Sequence, residues 1–364
     1  GAENGNVNSD AFHRALLNDA KIDQYLGASS DDSNAMDSGY ARGYNRYIDT
    51  HADQLPASCA GAEWVKPIDE RDLARLAIGV GIRYGLGRVT DQIATAAPNQ
   101  AIAALKPIDL TLDVEKIGSN AYAFGSELTD TGRGILLGNP HYPWQGPSRF
   151  HMAHLTLPGE IDFMGVGLIA TPRLAIGFND TIAWSHTVST ALRFTFFRLD
   201  LVPGNAMAYL VGDEERVIEA IEVAVETDAG IENRTVYLTH LGPVVAGPNT
   251  PWDDQHVYVM RDVNYENYRT GDQYAAMQRS TDVTQLRQAL ADHQGAAFVN
   301  TIAADKAGGA LYADMSAIPN VSVELISRCA VDQSAGARIT TLNGSDPSCD
   351  WQVDASAAAP GLMP

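Results

Sequence analysis

The sequence predicts an α+β fold, and three observations along the chain support this class. Before residue 118, apolar residues recur at helical spacing. After residue 119, short apolar runs alternate with Gly, Pro, Asn and Asp, which is typical of strands joined by turns. Two further helical stretches and a hairpin follow. Helices, then many strands, then helices indicate an α+β arrangement of packed layers.

The first part of the chain is predicted to consist of packed helices without chemistry. One helix carries apolar and aromatic residues at helical spacing, namely Met36, Tyr40, Tyr44, Tyr47 and Ile48. A second begins after Asp69, which can cap it. Its apolar side consists of Leu73, Leu76, Ala77 and Val80. A third runs from Val89 to Ala97, and Pro98 helps to end it.

From Ser119 onward the pattern becomes strand-like. The short apolar runs are 122–124, 135–137, 150–157, 161–168, 174–178 and 194–201. Ile221, Val223 and Val225 alternate with glutamates, as expected for a half-exposed antiparallel strand.

Two helices and a hairpin are predicted in the next part. The helices cover 271–279 and 282–292, with Ser280 or Thr281 between them as a cap. Residues 297–305 and 310–315 form the hairpin, because the Gly-containing segment 306–309 between them favours a tight turn.

Composition limits the classes of partner. With 364 residues and 45% hydrophobic content, the chain can bury a core for one large domain or two. A net charge of −20, from 25 basic and 45 acidic residues, would repel a phosphate backbone and excludes nucleic acid. No apolar stretch reaches the roughly 18–20 residues of a membrane span, since Arg75 and Arg83 interrupt the run from Leu73 to Leu86.

The cysteines and the first residues bear on location. Cys329 and Cys349 lie in a polar segment rich in Gly, Ser and Asp, which suits a disulfide-closed loop in an oxidising compartment. Cys59 is either a free thiol or one half of a disulfide whose other cysteine lies outside this sequence. Residues 1–4 do not resemble a signal peptide, so export is absent or a leader has been removed. We expect a periplasmic or secreted protein.

Ser119 is the candidate nucleophile. A serine hydroxyl needs a base, and no Gly-x-Ser-x-Gly elbow occurs in the chain to supply the usual arrangement. A serine at the start of a chain can use its own α-amine, with a pKa of about 7.7–8.0, as that base. This requires cleavage of the Gly118-Ser119 bond, and Gly tolerates the backbone strain that such cleavage involves. By itself, a Gly-Ser pair is more often a turn before a strand.

Five blocks of sequence carry a resemblance to a known family. They are Gly118–Ala121 (GSNA), Gly138–Trp144 (GNPHYPW), Ile176–Asn179 (IGFN), Ile182–Val188 (IAWSHTV) and Phe298–Thr301 (FVNT). In order and spacing they resemble the penicillin acylase family of N-terminal nucleophile hydrolases, and most closely its acyl-homoserine lactone and aculeacin acylase branch. The resemblance implies an αββα sandwich. It also implies cleavage into a helical α-chain segment, 1–118, and the first part of a β-chain, 119–364, which remain partners after processing.

The resemblance assigns roles to individual residues. Ser119 would be the nucleophile and, through its freed amine, the base. His141 matches the family histidine that lies 22 residues after the serine, and would hold the amine or its bridging water. Without the family it would be read as a loop histidine between two prolines. Val188 matches the residue whose backbone N–H is one oxyanion donor.

Five further positions match those that line the acyl pocket in relatives: Tyr142, Leu168, Tyr274, Phe298 and Val299. All five suit a structural core equally well. Relatives often carry tryptophan where Tyr274 and Phe298 stand, which leaves the preferred acyl length open.

No metal or other cofactor is expected. His151 and His154 are three residues apart, which on a strand places them on opposite faces. The β-lactam acylases bind calcium near the block around Val188, but 190–193 here (TALR) contains no carboxylate. The glycines between 79 and 87 follow no strand and so do not form a dinucleotide-binding turn.

The family also has a second oxyanion donor, an asparagine amide far beyond the serine, and a later arginine. Both would fall after Pro364, so the chain resembles a central fragment. Because loss of one oxyanion donor typically costs roughly 10²–10³ in rate, we expect little or no activity from this piece alone.

Two classes of function follow. The first is an amidase that removes an apolar acyl chain from a small-molecule N-acyl amide, such as an acyl-homoserine lactone or lipopeptide, with a β-lactam acylase as the nearest alternative. The second is a non-catalytic binding or scaffold protein that keeps the fold.

Overall fold

A computed structural model of the chain describes residues 5–101, 103, 105–110, 118–146, 148–331 and 340–364. The helices are α1 (Gly5–Leu16), α2 (Asp19–Ala28), α3 (Asp31–Thr50), α4 (Glu70–Gly81), α5 (Thr90–Ala94), α6 (Thr270–Arg279), α7 (Val283–His293) and α8 (Val323–Cys329).

The strands come in two groups along the chain. The first group is β1 (Gly118–Phe124), β2 (Ile135–His141), β3 (Phe150–Leu157), β4 (Ile161–Leu168), β5 (Ile176–Phe178) and β6 (Ile182–Val188). The second group is β7 (Phe194–Val202), β8 (Asn205–Val211), β9 (Glu214–Val217), β10 (Glu219–Thr227), β11 (Gly230–Thr239), β12 (Gly242–Pro243), β13 (His256–Asp262), β14 (Val299–Asp305), β15 (Ala310–Ala313) and β16 (Thr341–Asn343).

These strands form four sheets. A six-stranded antiparallel sheet has the order β15-β14-β6-β5-β4-β3, and a two-stranded sheet pairs β1 with β2. A third sheet has the order β13-β7-β8-β9, with β16 running parallel to β7. The fourth has the order β10-β11-β12. Ser119 is therefore the second residue of a strand in the smallest of these sheets.

The six-stranded sheet is covered on both faces. On one face, Trp184 of β6 packs in an apolar core with Met277 of α6 and Leu286 of α7. The next residue, Ser185, points to the opposite face, because side chains alternate along a strand. There β2 comes so close that a Cβ on Gly138 would lie 3.0 Å from the Ser185 Cβ. Helices, sheet and sheet are thus stacked in that order, in agreement with the predicted α+β sandwich.

The helical segment shares its core with the strands that follow. Phe12 of α1 and Ile78 of α4 are buried together with Phe194 of β7 and Val236 of β11. Since apolar burial is the main force that holds elements together, α1 and α4 are packed against the later part of the chain rather than standing apart.

Sequence periodicity located α3 to α7, whereas α1, α2 and α8 were not predicted. The predicted first helix corresponds to α3, and Asp69 caps α4 through a capping box in which the Asp69 and Asp72 side chains each bond the other residue's backbone N–H. The third helix is shorter than predicted. It is α5, which ends at Ala94, so Pro98 is not the residue that terminates it.

One predicted cap was wrong. The residue that caps α7 is Asp282, whose carboxylate accepts from the backbone N–H groups of Thr284 and Gln285. Ser280 instead follows the end of α6 as its C-cap. An ionised carboxylate is a stronger acceptor for these N–H groups than a hydroxyl, and its charge also suits the positive end of the helix.

The strands at 150–157 and 161–168 match the prediction at both ends, and the predicted hairpin is formed by β14 and β15. Strand β6 was not predicted as a strand. It is buried along much of its length, including Ser185 and His186, so it lacks the alternation that identifies a half-exposed strand.

The predicted disulfide between Cys329 and Cys349 is present, with both cysteines buried and their Cα atoms 5.5 Å apart. Cys59 forms no disulfide with another cysteine in the part of the chain that the structure describes. Among the described residues, no helix is long and apolar enough to cross a membrane.

Candidate active site

The Ser119 hydroxyl lies beside the peptide bond that it is predicted to cleave. Its Oγ donates a hydrogen bond to the Gly118 carbonyl oxygen at 2.7 Å and accepts one from the His141 backbone N–H at 3.2 Å. The antiparallel pairing of β1 and β2 produces this arrangement, because it sets Gly118 opposite His141. Two hydrogen bonds thus hold the hydroxyl next to the Gly118-Ser119 bond.

His141 contacts Ser119 through its backbone rather than through its ring. The imidazole is exposed, and its Nε2 lies 3.0 Å from the side-chain amide nitrogen of Asn139. An amide nitrogen only donates, so Nε2 is the acceptor in this contact. The ring lies at the same end of the β1-β2 pair as Ser119, but it does not line the cavity described below.

Strand pairing orients the Val188 backbone N–H. The neighbouring Ser189 N–H donates to the Phe298 carbonyl at 2.9 Å, and Val188 is opposite Val299. Because residues in an antiparallel ladder alternate between bonded and non-bonded pairs, the Val188 N–H is directed away from β14. Strand β5 ends its pairing with β6 at Trp184, before it reaches Val188.

One apolar cavity of about 160 Å³ brings together most of the predicted site residues. Ser119 and Val188 line it, together with all five predicted pocket positions, Tyr142, Leu168, Tyr274, Phe298 and Val299. These residues come from β1, β4, β6 and α6, from the segment that follows β2, and from the first residue of β14 and the residue before it. Ser119 is therefore at the wall of a space that fits an apolar group.

The apolar side of α4 forms another wall of this cavity. Leu73, Leu76, Ala77 and Val80, the four residues that periodicity placed on one side of the helix, all line it. A residue chosen as core from sequence can thus be a ligand-facing residue, since both need an apolar side chain.

Aromatic rings pack around one part of the cavity. Tyr142 stacks on Phe150 with ring centres 5.0 Å apart, and Tyr84 meets Phe298 edge to face at 4.4 Å. Burial is the main cause that raises the pKa of Tyr84 and of Tyr274, and the neighbouring Tyr142 hydroxyl raises both further. These phenols are therefore uncharged near neutral pH.

The cavity also has polar residues that sequence reasoning did not single out. Arg173 and Asp37 form a buried ion pair in its wall, with Nη1 and Oδ1 2.6 Å apart. The two are 136 residues apart in sequence, so no local pattern could have indicated the pair. His186 also lines the cavity, and burial lowers its pKa to about 4. It was inside the IAWSHTV block, but a family block does not show which way a side chain points.

No group of three or more His, Cys, Asp or Glu side chains within the described ranges is placed to hold a metal ion. His154 contacts Asp162 at 2.7 Å, on the face opposite to His151. In the 190–193 segment, the Arg193 guanidinium lies 3.4 Å from Asp314, so the positive charge beside that carboxylate comes from a side chain.

The whole chain, residues 1–364, matches the profile of the family described as penicillin amidase. It is 37% identical over 373 residues to the acyl-homoserine lactone acylase PvdQ of Pseudomonas putida, an alignment that covers 99% of this chain and 48% of that protein. It is 39% identical over 356 residues to the aculeacin-A acylase of Actinoplanes utahensis, covering 92% of this chain and 45% of that one. The chain thus spans about half the length of these relatives.

A solved structure shows a similar fold. The thermostable penicillin G acylase from Alcaligenes faecalis matches with a TM-score of 0.51 and 19% sequence identity, over 62% of this chain and 38% of that one.

Proposed function

Because the chain belongs to the penicillin amidase family, we propose that it is the nucleophile-bearing part of a hydrolase that removes an apolar acyl chain from a small-molecule N-acyl amide. Acyl-homoserine lactones and acylated peptides are the substrate classes that the names of its relatives suggest. The observation that carries the proposal is the position of Ser119, at the wall of an apolar cavity and hydrogen-bonded to the carbonyl of the preceding residue.

The first step is cleavage of the chain by its own serine. The Ser119 Oγ attacks the Gly118 carbonyl carbon, the C–N bond breaks, and the hydroxyl proton passes to the nitrogen that becomes the Ser119 amine. Water then hydrolyses the Gly118 ester, which frees the hydroxyl and leaves a Gly118 carboxylate. The His141 N–H and the Gly118 carbonyl oxygen support this step by holding Oγ in place.

The second step is hydrolysis of the substrate. The free α-amine of Ser119 takes the proton from Oγ, which attacks the amide carbonyl and forms an acyl-enzyme. The amine then gives that proton to the leaving nitrogen, and water releases the acid. The Val188 N–H, which is directed away from β14, donates to the oxyanion, and the His141 ring holds the amine or its bridging water.

Apolar lining supports an aliphatic acyl group. Leu73, Leu76, Val80 and Leu168 line the cavity, and Arg173, its buried cation, is already paired with Asp37. A free carboxylate on the acyl chain would have to compete with Asp37 for that cation, whereas a hydrocarbon chain gains about 25 cal/mol per Å² of apolar surface buried.

The two products of cleavage, 1–118 and 119–364, stay together in this proposal. Phe12 and Ile78 from the first share a buried core with Phe194 and Val236 from the second. The Cys329–Cys349 disulfide supports a periplasmic or secreted location, because such bonds persist in oxidising compartments.

The test uses the full-length parent protein and compares Ser119→Ala with Ser126→Ala. Residues 125–126 are a second Gly-Ser pair, on an exposed turn after β1, and serve as a matched control. Intact mass and N-terminal sequencing should find a new chain that begins at Ser119 in wild type and in Ser126→Ala. Ser119→Ala should remain uncut and fail to hydrolyse N-acyl amides.

Titration with a serine-acylating reagent separates an enzyme from a scaffold. One equivalent should label Ser119 in the processed protein and abolish hydrolysis across a panel of N-acyl amides of different chain length. A fully active protein whose 118-119 bond is intact would refute the mechanism, because Ser119 would then have no free amine to act as a base.

A further inference from the structure

We propose that Asn300 is a positioning residue for the reaction, because its side-chain amide holds the end of β6 so that the Val188 N–H stays in place as the oxyanion donor. This role rests on the proposed function in one respect, the donor role of Val188. Asn300 lies on β14, within the FVNT block, and does not line the cavity itself. It would therefore act through Val188, which does line it.

The backbone ladder leaves the peptide groups of Val188 unheld. The Ser189 N–H donates to the Phe298 carbonyl at 2.9 Å, so Val188 and Val299 face each other at a non-bonded position. On the other side of β6 no strand is paired at this point, because β5 ends its pairing at Trp184. The backbones of the neighbouring strands thus leave the Val188 N–H and C=O without a partner.

The side chain of Asn300 supplies a bond that the ladder lacks. Its Nδ2 donates to the Val188 carbonyl oxygen at 3.3 Å and to the Thr187 Oγ1 at 3.0 Å. Its Oδ1 accepts from the hydroxyl of Tyr312, on β15, at 3.2 Å. A carbonyl oxygen can only accept, so the contact with Val188 fixes which end of the amide is the nitrogen. One amide thus connects β15 and β14 to the last two residues of β6.

These bonds bear on the direction of the Val188 N–H. That N–H belongs to the peptide unit between Thr187 and Val188, and Asn300 binds a group on each of these two residues. Thr187 is also the residue opposite Asn300 in the ladder. An oxyanion donor stabilises the transition state only when its N–H points at the place where the oxyanion forms, at roughly 2.7–3.1 Å. A misdirected Val188 N–H would lose this stabilisation while the apolar lining stays the same.

The strands themselves do not depend on this side chain. The backbone of β14 is paired with β6 from Val299 to Asp305. Asn300 is half-buried and Tyr312 is 67% exposed, so removing the amide costs little packing. Loss of the Asn300 side chain should therefore affect catalysis more than folding.

Kinetics of the processed full-length protein give the first test. Asn300→Ala should lower kcat for N-acyl amides about tenfold, which is part of the roughly 10²–10³ that loss of a whole donor costs, and change KM by less than about twofold. Active sites are counted with a serine-acylating reagent, so an unprocessed fraction does not enter kcat. The matched control is Tyr312→Phe, which removes the bond to Oδ1 and keeps both amide N–H bonds. It should retain kcat within about twofold.

A pair of ligands separates positioning from a structural role. In octylboronic acid, the Ser119 Oγ adds to boron and its proton passes to the α-amine, which gives a tetrahedral anion like the transition state. The alcohol n-octanol has the same chain but only fills the apolar cavity. Asn300→Ala should weaken binding of the boronic acid about tenfold and binding of the alcohol by less than about twofold. A merely structural role would weaken both alike.

Outcomes for the two proposals differ. Equal changes in the two affinities, or an unchanged kcat in Asn300→Ala, would overturn the role of Asn300 and leave the acylase proposal intact. A processed wild type that neither hydrolyses N-acyl amides nor binds the boronic acid more tightly than the alcohol would instead refute the proposed function. Asn300→Asp keeps the volume and the acceptor for Tyr312 but lacks the N–H donors. It should show the same selective loss of boronic acid binding, and it decides the question if the alanine variant does not fold.

Discussion

The buried ion pair between Asp37 of α3 and Arg173, in the segment between β4 and β5, allows a sharp stability prediction. The side chains are 3% and 10% exposed, with 2.6 Å between Oδ1 and Nη1. Arg173 Nη2 also donates to the Ser33 carbonyl at 3.0 Å, whereas Nε is buried without a partner. The pair joins the helical segment to the six-stranded sheet and forms part of the cavity wall.

Desolvation dominates this pair. Burial raises the pKa of Asp37, and the attraction of Arg173 opposes that rise without cancelling it. Removing one partner leaves the other charge buried alone, which costs about 3–5 kcal/mol. Replacing both by apolar residues of similar size removes both desolvation penalties and is about neutral. We therefore expect Asp37→Leu and Arg173→Met each to lose about 3–5 kcal/mol of unfolding free energy, and the double variant to regain most of it.

Urea unfolding of the full-length protein, followed by tryptophan fluorescence, measures all four corners of this cycle. The informative quantity is the coupling free energy, which is the loss in the double variant minus the sum of the two single losses. We expect the double variant to lose much less stability than that sum. If the double variant lost as much as the two single losses added together, the coupling free energy would be zero, the two residues would contribute independently, and the reasoning from desolvation would be wrong.

Three further predictions concern other sites. Reducing the Cys329–Cys349 disulfide, which closes a loop with a sequence separation of 20, should lower stability by about 3 kcal/mol; alkylation of both sulfurs in unreduced, denatured protein would show that the bond does not form. Burial raises the pKa of Asp262 from 3.8 to about 7, so the folded state keeps a proton that the unfolded state loses. Its contribution to stability should fall as pH rises from about 4 to about 7, by at most about 1.4 kcal/mol per pH unit, and Asp262→Asn should remove this slope in urea titrations; identical slopes in both proteins would contradict it. In the full-length enzyme, His141→Ala should lower kcat by about 10²-fold while changing unfolding free energy by less than about 0.5 kcal/mol, and unchanged turnover would exclude the ring from the reaction.

Sequence was sufficient where the determinant is local. The capping of α4 by Asp69 and the hairpin of β14 and β15 follow from residues close together in the chain. The prediction of the α7 cap was wrong only in the choice among three adjacent polar residues. The one that accepts from the helix N–H groups is Asp282. The family blocks added Ser119 as the candidate nucleophile, because the spacing of Ser119 and His141 is itself a property of the sequence.

Tertiary structure decided what each side chain meets. Periodicity showed that Leu73, Leu76 and Val80 share one side of α4, but not that this side faces a cavity shared with Ser119. Sequence patterns record which residues avoid water, and a core and an acyl pocket meet that requirement equally well.

The polar features of the site depend on contacts between distant residues. Arg173 forms an ion pair with Asp37, which is 136 positions away in the sequence. His186 contacts the carbonyl oxygen of Asn300, which is 114 positions away. The sequence by itself determined the family and indicated Ser119 as the candidate nucleophile, whereas the charge pairing in the cavity was decided by packing, because hydrogen bonding and desolvation depend on spatial neighbours.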